Sequence, residues 1–569
     1  MAVESFSTER GHIHSELISY ENRAGRRITA YLDAATRDLA GVPFVLMAPK
    51  YGETKKNNLQ LAYYLVANGF AVLRFDFTNH IGESDGEMTD FTLSGAVHDI
   101  VASLDFLERQ FGADDVIIVS SSLSSRCALR AAAEDSRVAR LVCLVGVVSL
   151  EATLKEVYQE DIIGTLRAGR QWGVTDILGF NINGEIFGPD VLASNLHDLE
   201  GTIRDAEAIE VPVTYFYAER DLWVNLEDVR RAFGPCRNCR LIPVQGAMHE
   251  VRENPRAAEQ VFRQTVLACL GRLDADDGTV PEVILPDRRL MLAQNRCERE
   301  RLRAALPETE GESVFWSRYL KRYSMLERAD DFREYLDLLG GLLGDFLPGC
   351  RELDAGCGNG LFGLWLWLRL MQQRDPHAPL PAAYVGIDLT AAGLSDALRR
   401  HVASSWDQSP GDDPGPGARA LEYSYLRMDF ETLRPDDRLG TLPFADGTFD
   451  KVCCSLVLSY LTRPHLLLAE IFRVLRPGGI LVVSSLKPYC DLSALYRGFI
   501  QQQVSPEELE RARGLLQAAG RIKLKEEKGN YTFHLSQELV ELGCNAGFAE
   551  ARAYSSLGNQ ANVVRLVRP

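Results

Sequence analysis

The sequence predicts an α/β protein with two parallel sheets placed one after the other along 569 residues. Three observations carry that expectation. Short β-branched runs alternate with helical stretches in two separate series, as they do when crossover helices bury parallel strands. One strand of the first series, VIIVS, runs into a serine-rich turn and then a helical pattern. The opening strand of the second, RELDA, runs into a glycine-rich turn, GCGNG, and then another helical pattern.

The first series comprises VPFVLMAP, FAVLRFDF, DVIIVS, ARLVCLVGV, VPVTYFYA and CRLIPV, and ends near residue 270. The second comprises CRELDAG, AAYVGID, FDKVCCSLV, GILVVSSL and the terminal NVVRLVRP. Neither repeats the other, so two different domains are expected, over 1–275 and 315–569. Between them, the acidic residues 274–278 (DADDG) suit a boundary. The arginine-rich QNRCERERLRAAL is expected as a solvated connecting helix within a linker over 276–314. Residues 409–420 (SPGDDPGPGARA) hold too little apolar surface to order themselves, and are expected as a loop without chemistry.

Composition narrows the function classes. An apolar fraction of 46% and a charged fraction of 25% are those of a globular protein. The net charge of −17 argues against a nucleic-acid partner, whose footprint would be a basic stripe. The N-terminal residues carry no apolar signal segment, and no apolar run approaches about 18 residues. A cytoplasmic protein without membrane insertion is therefore expected. The 12 cysteines lack a repeated spacing; Cys236 and Cys239 have no second pair, so reduced thiols and no metal are expected.

The serine-rich turn is the first candidate site. A nucleophile held on a strand-to-helix elbow takes strained backbone angles, so the residues two before and two after it must be small. Of the serines in SSSLSS, only Ser122 has a small residue on both sides, Ser120 and Ser124. A serine needs a base and a group that orients the base. Asp221 follows the strand VPVTYFYA, and His249 follows the strand RLIPV, in the order serine, acid, histidine. The strand FVLMAP delivers Lys50 and Tyr51 to the place of an oxyanion loop, with Gly52 permitting the turn. The amide of Leu123 would be the second donor.

These stretches, together with LAYYLVANGFAVLRFDFTNHIGESDG, ILGFNINGEIFGPDVL and AERDLWVNLEDV, resemble the acyl-transferase, or acyl-carrier-protein thioesterase, family of the bacterial bioluminescence system. The resemblance spans about 18–270 and implies an α/β-hydrolase with a cap insertion over 149–205. It also implies a triad of Ser122, Asp221 and His249, and an acyl chain taken from a carrier-protein thioester to the serine and then to water or another acceptor. Lys50, Lys55 and Lys56 are expected either to steer an acidic carrier protein or to form a solvated face.

In the second series the glycine-rich turn alone fits either a nicotinamide or an S-adenosyl-L-methionine site. The order of the later motifs decides between them. Asp388 closes the next strand, Asp429 a third, and LPFADGTFDKVCCSLVLSYL and EIFRVLRPGGILVVSSL come after. The set resembles the class I S-adenosyl-L-methionine-dependent methyltransferases, a Rossmann-like fold, across about 315–569. By that resemblance Asp354, Gly356, Cys357, Gly358 and Gly360 form the cofactor loop. Asp388 and Leu389 would face the ribose, Asp429 and Phe430 the adenine, and Ser455 the methyl group. The acceptor site is expected from FWSRYLKRYSML and the stretch 489–531, with Tyr489, Tyr496, Tyr531 and His534 as positional candidates.

The expectation is a bifunctional enzyme: a serine thioesterase or acyltransferase acting on acyl-carrier-protein or CoA thioesters, fused to a methyltransferase. The methyl acceptor, small or carrier-bound, would be the released carboxylate, or a hydroxyl or amine of a related lipid, polyketide or peptide intermediate. In the alternative, the hydrolase-like half only recruits a carrier protein or lipid.

Overall fold

A computed structural model describes residues 3–8, 11–170, 172–273, 282–305, 311–323, 326–327, 329–346, 349–372, 382–406, 421–434, 440–500 and 505–569. The acidic stretch 274–278 and the segment 409–420 lie outside the described residues. The chain forms two compact units, one of residues 1–307 with 519–529 and the other of 308–518 with 530–569.

Among the described residues, the first unit is built on a nine-stranded sheet. Its strands are β1 (Val3–Thr8), β2 (Gly11–Glu21), β3 (Arg27–Ala34), β4 (Phe44–Ala48), β5 (Ala71–Phe75), β6 (Val116–Ser121) and β7 (Val138–Leu144). A small hairpin, β8 (Val174–Ile177) and β9 (Phe180–Asn183), lies outside the sheet, and β10 (Val213–Ala218) and β11 (Cys239–Val244) complete it. The spatial order is β1-β2-β3-β5-β4-β6-β7-β10-β11. The first strands pair antiparallel and β5 onward pair parallel.

This is an α/β-hydrolase sheet. β4 is buried throughout and β6 nearly so, which is why both read as apolar runs without alternation. Between β7 and β10, the helices Leu150–Tyr158, Ile162–Arg167, Gly184–Ala193 and Leu199–Ala208 form the cap with β8 and β9.

The helix Arg288–Ala305 is not solvated on all sides. Gln294, Glu298 and Leu302 are buried, and Glu298 meets Arg74 of β5 at 2.6 Å, while Arg74 also meets Asp33 of β3 at 2.5 Å. The arginine-rich composition hid one buried carboxylate that ties this helix to the sheet.

The second unit holds, among the described residues, a seven-stranded sheet. Its strands are β12 (Arg351–Ala355), β13 (Ala382–Asp388), β14 (Leu421–Arg427), β15 (Phe449–Cys454), β16 (Leu475–Leu486), β17 (Ala549–Ser556) and β18 (Ala561–Val567). The order is β14-β13-β12-β15-β16-β18-β17, with β14 to β16 pairing parallel and the last two antiparallel. It is a Rossmann-like methyltransferase arrangement. The strand order reverses between β12 and β15, so their carboxyl ends leave the crevice where α/β sheets hold ligands.

Candidate functional site

In the first unit the site begins with register. Ala48 of β4 lies opposite Ser120 of β6, so the loop after β4 and the elbow after β6 emerge side by side. Ser122 precedes the helix Leu123–Glu134 and has φ 54° and ψ −127°. For a residue with a Cβ, such a conformation costs roughly 1–3 kcal/mol and persists only where its surroundings fix it. Here the Ser122 N–H donates to Leu144 O at 3.0 Å, and its carbonyl accepts from Val147 N–H at 2.9 Å.

The flanking serines fill the usual glycine places without leaving buried hydroxyls unpaired. Ser120 Oγ donates to Ser125 Oγ at 3.1 Å, and Ser124 Oγ bonds Ser121 O at 2.9 Å.

Three side chains form one chain of hydrogen bonds. Ser122 Oγ is 2.8 Å from His249 Nε2, and His249 Nδ1 is 2.8 Å from Asp221 Oδ2. Asp221 Oδ1 accepts from the N–H groups of Trp223 at 2.8 Å and Val224 at 3.1 Å, which fixes the carboxylate's orientation. A histidine so bonded can take the serine proton while the carboxylate stabilises the resulting imidazolium.

Leu123 opens its helix, so its N–H has no partner inside that helix and is free of that ladder. Gly52 has φ 77°, and a Cβ there would sit 2.7 Å from the Phe180 ring of the cap. Its N–H donates to His80 Nε2 at 3.2 Å, and burial pushes that imidazole down to about 4. Tyr51 donates its hydroxyl to Ile177 O of the cap at 3.1 Å.

The lysines near this loop do not form a positive surface, contrary to both expectations. Lys50 pairs with Glu250 and, at 3.4 Å, with Glu53. Lys55 pairs with Asp76 at 2.5 Å and Glu83 at 2.7 Å, and Lys56 with Glu526 at 3.1 Å. All three are buried and paired with carboxylates, which apart from Glu53 lie far away in the sequence.

Glu53 and Glu250 belong to a larger buried network that sequence reasoning missed. Arg252 meets Glu53 at 2.6 Å, and Lys523 meets Glu53 at 3.1 Å and Glu250 at 3.6 Å. Burial opposes charge on Glu53, yet Arg252, Lys50 and Lys523 hold its carboxyl well below the usual range. The network joins the loop after β4 to the His249 loop. Its only sequence signal is the adjacency of Glu250 to His249; Lys523 lies some 470 residues from Glu53.

In the second unit, a cavity of about 200 Å³ opens at the carboxyl ends of the strands. Asp354, Gly356, Cys357, Gly358, Asp388 and Leu389 line it, as do Asp429, Phe430 and Ser455. The N–H groups of Gly356 and Cys357 donate to Ile387 O at 2.7 and 2.9 Å, which seats the loop against the end of β13. Gly356 has φ 91°, and a Cβ there would overlap Val457.

Gly360 does not line the cavity. A Cβ there would lie 2.7 Å from that of Ala397, so this glycine serves helix packing. Asp388 accepts from Gly358 N–H at 2.9 Å and Thr390 N–H at 2.8 Å; burial raises its pKa while these donors oppose the rise. Burial also pushes Asp354 up to about 7, against the 2.6 Å bond donated by Tyr384.

Further lining comes from the helix Glu312–Tyr323 and from residues that include Phe332 and Tyr460. Of the positional acceptor candidates, Tyr531 reaches this wall, donating to Glu312 Oε2 at 2.6 Å. Tyr489, Tyr496 and His534 are not among the lining residues. Glu312 and Tyr460 were missed, because nothing in their local pattern marks them.

A family model described as acyl transferase matches residues 44–304. The acyl transferase of Photorhabdus luminescens is 30% identical over 222 residues, covering 38% of this chain and 71% of that protein. The chain belongs to the acyl transferase family.

The acyl transferase of Photobacterium phosphoreum is 29% identical over 245 residues, or 42% of this chain and 79% of that protein. A second model, described as a methyltransferase domain, matches residues 353–483. Among solved structures, Est1E from Butyrivibrio proteoclasticus with ferulic acid bound is 18% identical, covers 45% of this chain and 99% of that one, and has a TM-score of 0.39. The chain is thus an enzyme that joins an acyl transferase domain to a methyltransferase domain. Among the described residues, no helix is long and apolar enough to cross a membrane.

Proposed function

We propose that this protein is a cytoplasmic bifunctional enzyme that moves an acyl chain through Ser122 and methylates a related molecule with S-adenosyl-L-methionine. Ser122 is the nucleophile, His249 the base and later the acid, and Asp221 orients His249. The single observation that carries the reading is the continuous bonding from Ser122 to Asp221, with Ser122 held at φ 54°.

In this reading Ser122 Oγ attacks the carbonyl of an acyl thioester as its proton passes to His249 Nε2. The amide of Leu123 and an amide of the Lys50–Tyr51 loop face the developing oxyanion. The carbon–sulfur bond breaks, and the thiolate leaves with the proton from His249. The acyl-enzyme then yields to water or an alcohol activated by the same histidine. Membership in the acyl transferase family supports a donor carried on an acyl-carrier protein or on CoA. With Lys50, Lys55 and Lys56 buried, recognition of such a donor falls to other surfaces.

In the second unit the lining fits S-adenosyl-L-methionine. The positive φ of Gly356 and the overlap that a Cβ would make keep its backbone open to a ligand. Asp388 is fixed by two backbone donors while retaining lone pairs for ribose hydroxyls, and Asp429 stands at the adenine side. When bound, the cofactor supplies an electrophilic methyl group. The protein contributes alignment and exclusion of water.

Intact-protein mass spectrometry over a panel of acyl-CoA and acyl-carrier thioesters tests the first half. An acyl mass on the wild type that is absent from Ser122→Ala supports it. An equal adduct on Ser122→Ala would refute it.

A further inference from the structure

Residues 519–529 belong to the first unit, although the acyl transferase match ends at residue 304 and the methyltransferase match at residue 483. They comprise the last turns of the helix Pro506–Glu527 and the turn after it. Within the first unit this segment meets three parts of the acyl-transfer site.

The first part is the loop after β4, which carries Lys50 and Tyr51. Glu527 accepts from Asn57 Nδ2 at 2.6 Å and from Thr54 Oγ1 at 3.3 Å, and Glu526 pairs with Lys56 at 3.1 Å. The second is the His249 loop. Lys523 Nζ stands between Glu53 of the loop after β4, at 3.1 Å, and Glu250, at 3.6 Å.

The third part is the turn of the β8–β9 hairpin in the cap. Arg521 meets Asp176 at 3.3 Å, and Asp176 accepts from the Gly179 N–H at 2.8 Å. Here the backbones touch: a Cβ on Gly179 would lie 2.6 Å from the Gly520 carbonyl carbon, and one on Gly520 would lie 1.9 Å from Leu178 O. The hairpin bears in turn on the loop after β4, through the Tyr51 bond to Ile177 O and the packing of Phe180 on Gly52.

Glu53 and Glu250 are both buried, and two buried carboxylates stay together only with cations between them. Lys50 and Arg252 lie on the two loops being joined and move with them. Lys523 comes from outside both and ties them to a third element. Acylation of a serine depends on where the oxyanion donors and the base stand, and a misplacement of about 1 Å costs on the order of 100-fold.

We infer that residues 519–529 form a clamp that sets the acyl-transfer site, with Lys523 as its positioning residue. Ser122 chemistry then depends on a segment beyond both matched regions. The inference rests on the reading of Ser122 as the acyl nucleophile, and adds to it the element that holds the oxyanion loop, the His249 loop and the cap hairpin together. Lys523 acts through Glu53 and Glu250, not on the reacting atoms.

Labelling of the full-length protein by ethyl octylfluorophosphonate, followed over time by intact-protein mass spectrometry, tests the clamp. Ser122 Oγ forms a bond to phosphorus, fluoride leaves, and the serine proton passes to His249. The plateau counts folded sites, while the rate constant at saturating probe reports how the oxyanion loop and His249 are set. Lys523→Met is expected to lower that rate constant at least about tenfold with the plateau unchanged. Lys523→Arg keeps a cation and should retain most of the rate. Gly520→Ala gives a second test that removes no charge. In a helix that merely packs, alanine is favoured over glycine. In the clamp its Cβ must push the hairpin away, so the rate constant should again fall.

Wild-type rate constants for both Lys523→Met and Gly520→Ala would overturn the clamp, as would losses confined to the plateau. An unlabelled wild type, or equal labelling of Ser122→Ala, would instead remove the acyl-nucleophile reading, and this inference with it.

Discussion

Replacing Asp221 with asparagine isolates the role of one hydrogen bond in acyl transfer. In the wild type, Asp221 Oδ1 accepts from Trp223 and Val224 N–H groups, leaving Oδ2 for His249 Nδ1. An asparagine has one acceptor oxygen and one donor nitrogen. The two backbone donors claim the oxygen, because the opposite orientation would set an NH2 group against both of them. The amide nitrogen therefore faces His249 Nδ1, which must turn acceptor, and the ring proton moves to Nε2. A histidine in that tautomer has no lone pair for the Ser122 proton, although every heavy atom keeps its place. Loss of this function costs about 10⁴-fold in a serine triad, or about 5.5 kcal/mol of transition-state stabilisation. The assay is rapid-quench mass spectrometry of the acyl adduct with a saturating acyl thioester. Thermal unfolding and S-adenosylhomocysteine binding should be nearly unchanged. Acylation above a tenth of the wild-type rate would refute the assignment of Asp221.

Gly356→Ala places a Cβ at φ 91° over Val457, and is expected to weaken S-adenosylhomocysteine binding at least about tenfold in calorimetry while acyl-enzyme formation persists. Arg74→Met leaves the buried carboxylates of Asp33 and Glu298 without their shared cation, and should cost about 3–5 kcal/mol in denaturant unfolding. Lys523→Met removes a cation from between Glu53 and Glu250, and should slow acylation of Ser122; an unchanged rate would detach the network from that site. Burial depresses His80 and His401 to about 4, below their ordinary 6.5. The unfolded chain therefore takes up these protons first as the pH falls. Stability is fully present above about pH 6.5 and declines toward pH 4, by on the order of 3 kcal/mol for each histidine. Scanning fluorimetry across that range should show a shallower decline for His80→Gln, whose amide oxygen can still accept from Gly52; an identical slope would exclude His80 as a contributor.

The sequence by itself determined what depends on neighbours along the chain. Strands buried on both faces must be apolar throughout, so β4 and β6 were visible as runs. An elbow with a strained central residue tolerates only small side chains two positions away, so Ser122 could be chosen from among its fellow serines. Chain order then pointed to Asp221 and His249, because parallel sheets deliver functional groups at strand ends, and strand ends are legible. The glycine-rich turn and the acids closing β13 and β14 were legible for the same reason.

Only the tertiary structure decided what depends on partners distant in sequence. Lys50, Lys55 and Lys56 read as a positive island, but the fold surrounds them with Glu250, Asp76, Glu83 and Glu526. The arginine-rich helix read as solvated, but Glu298 turns inward to Arg74. Gly360 looked like its neighbours Gly356 and Gly358, yet it meets Ala397 where they face the cavity. Glu312 and Tyr460, some 150 residues apart, share one wall. A side chain's charge is written in the sequence, but whether that charge faces water, a counter-ion or a ligand is set by whatever the fold places within a few ångströms of it.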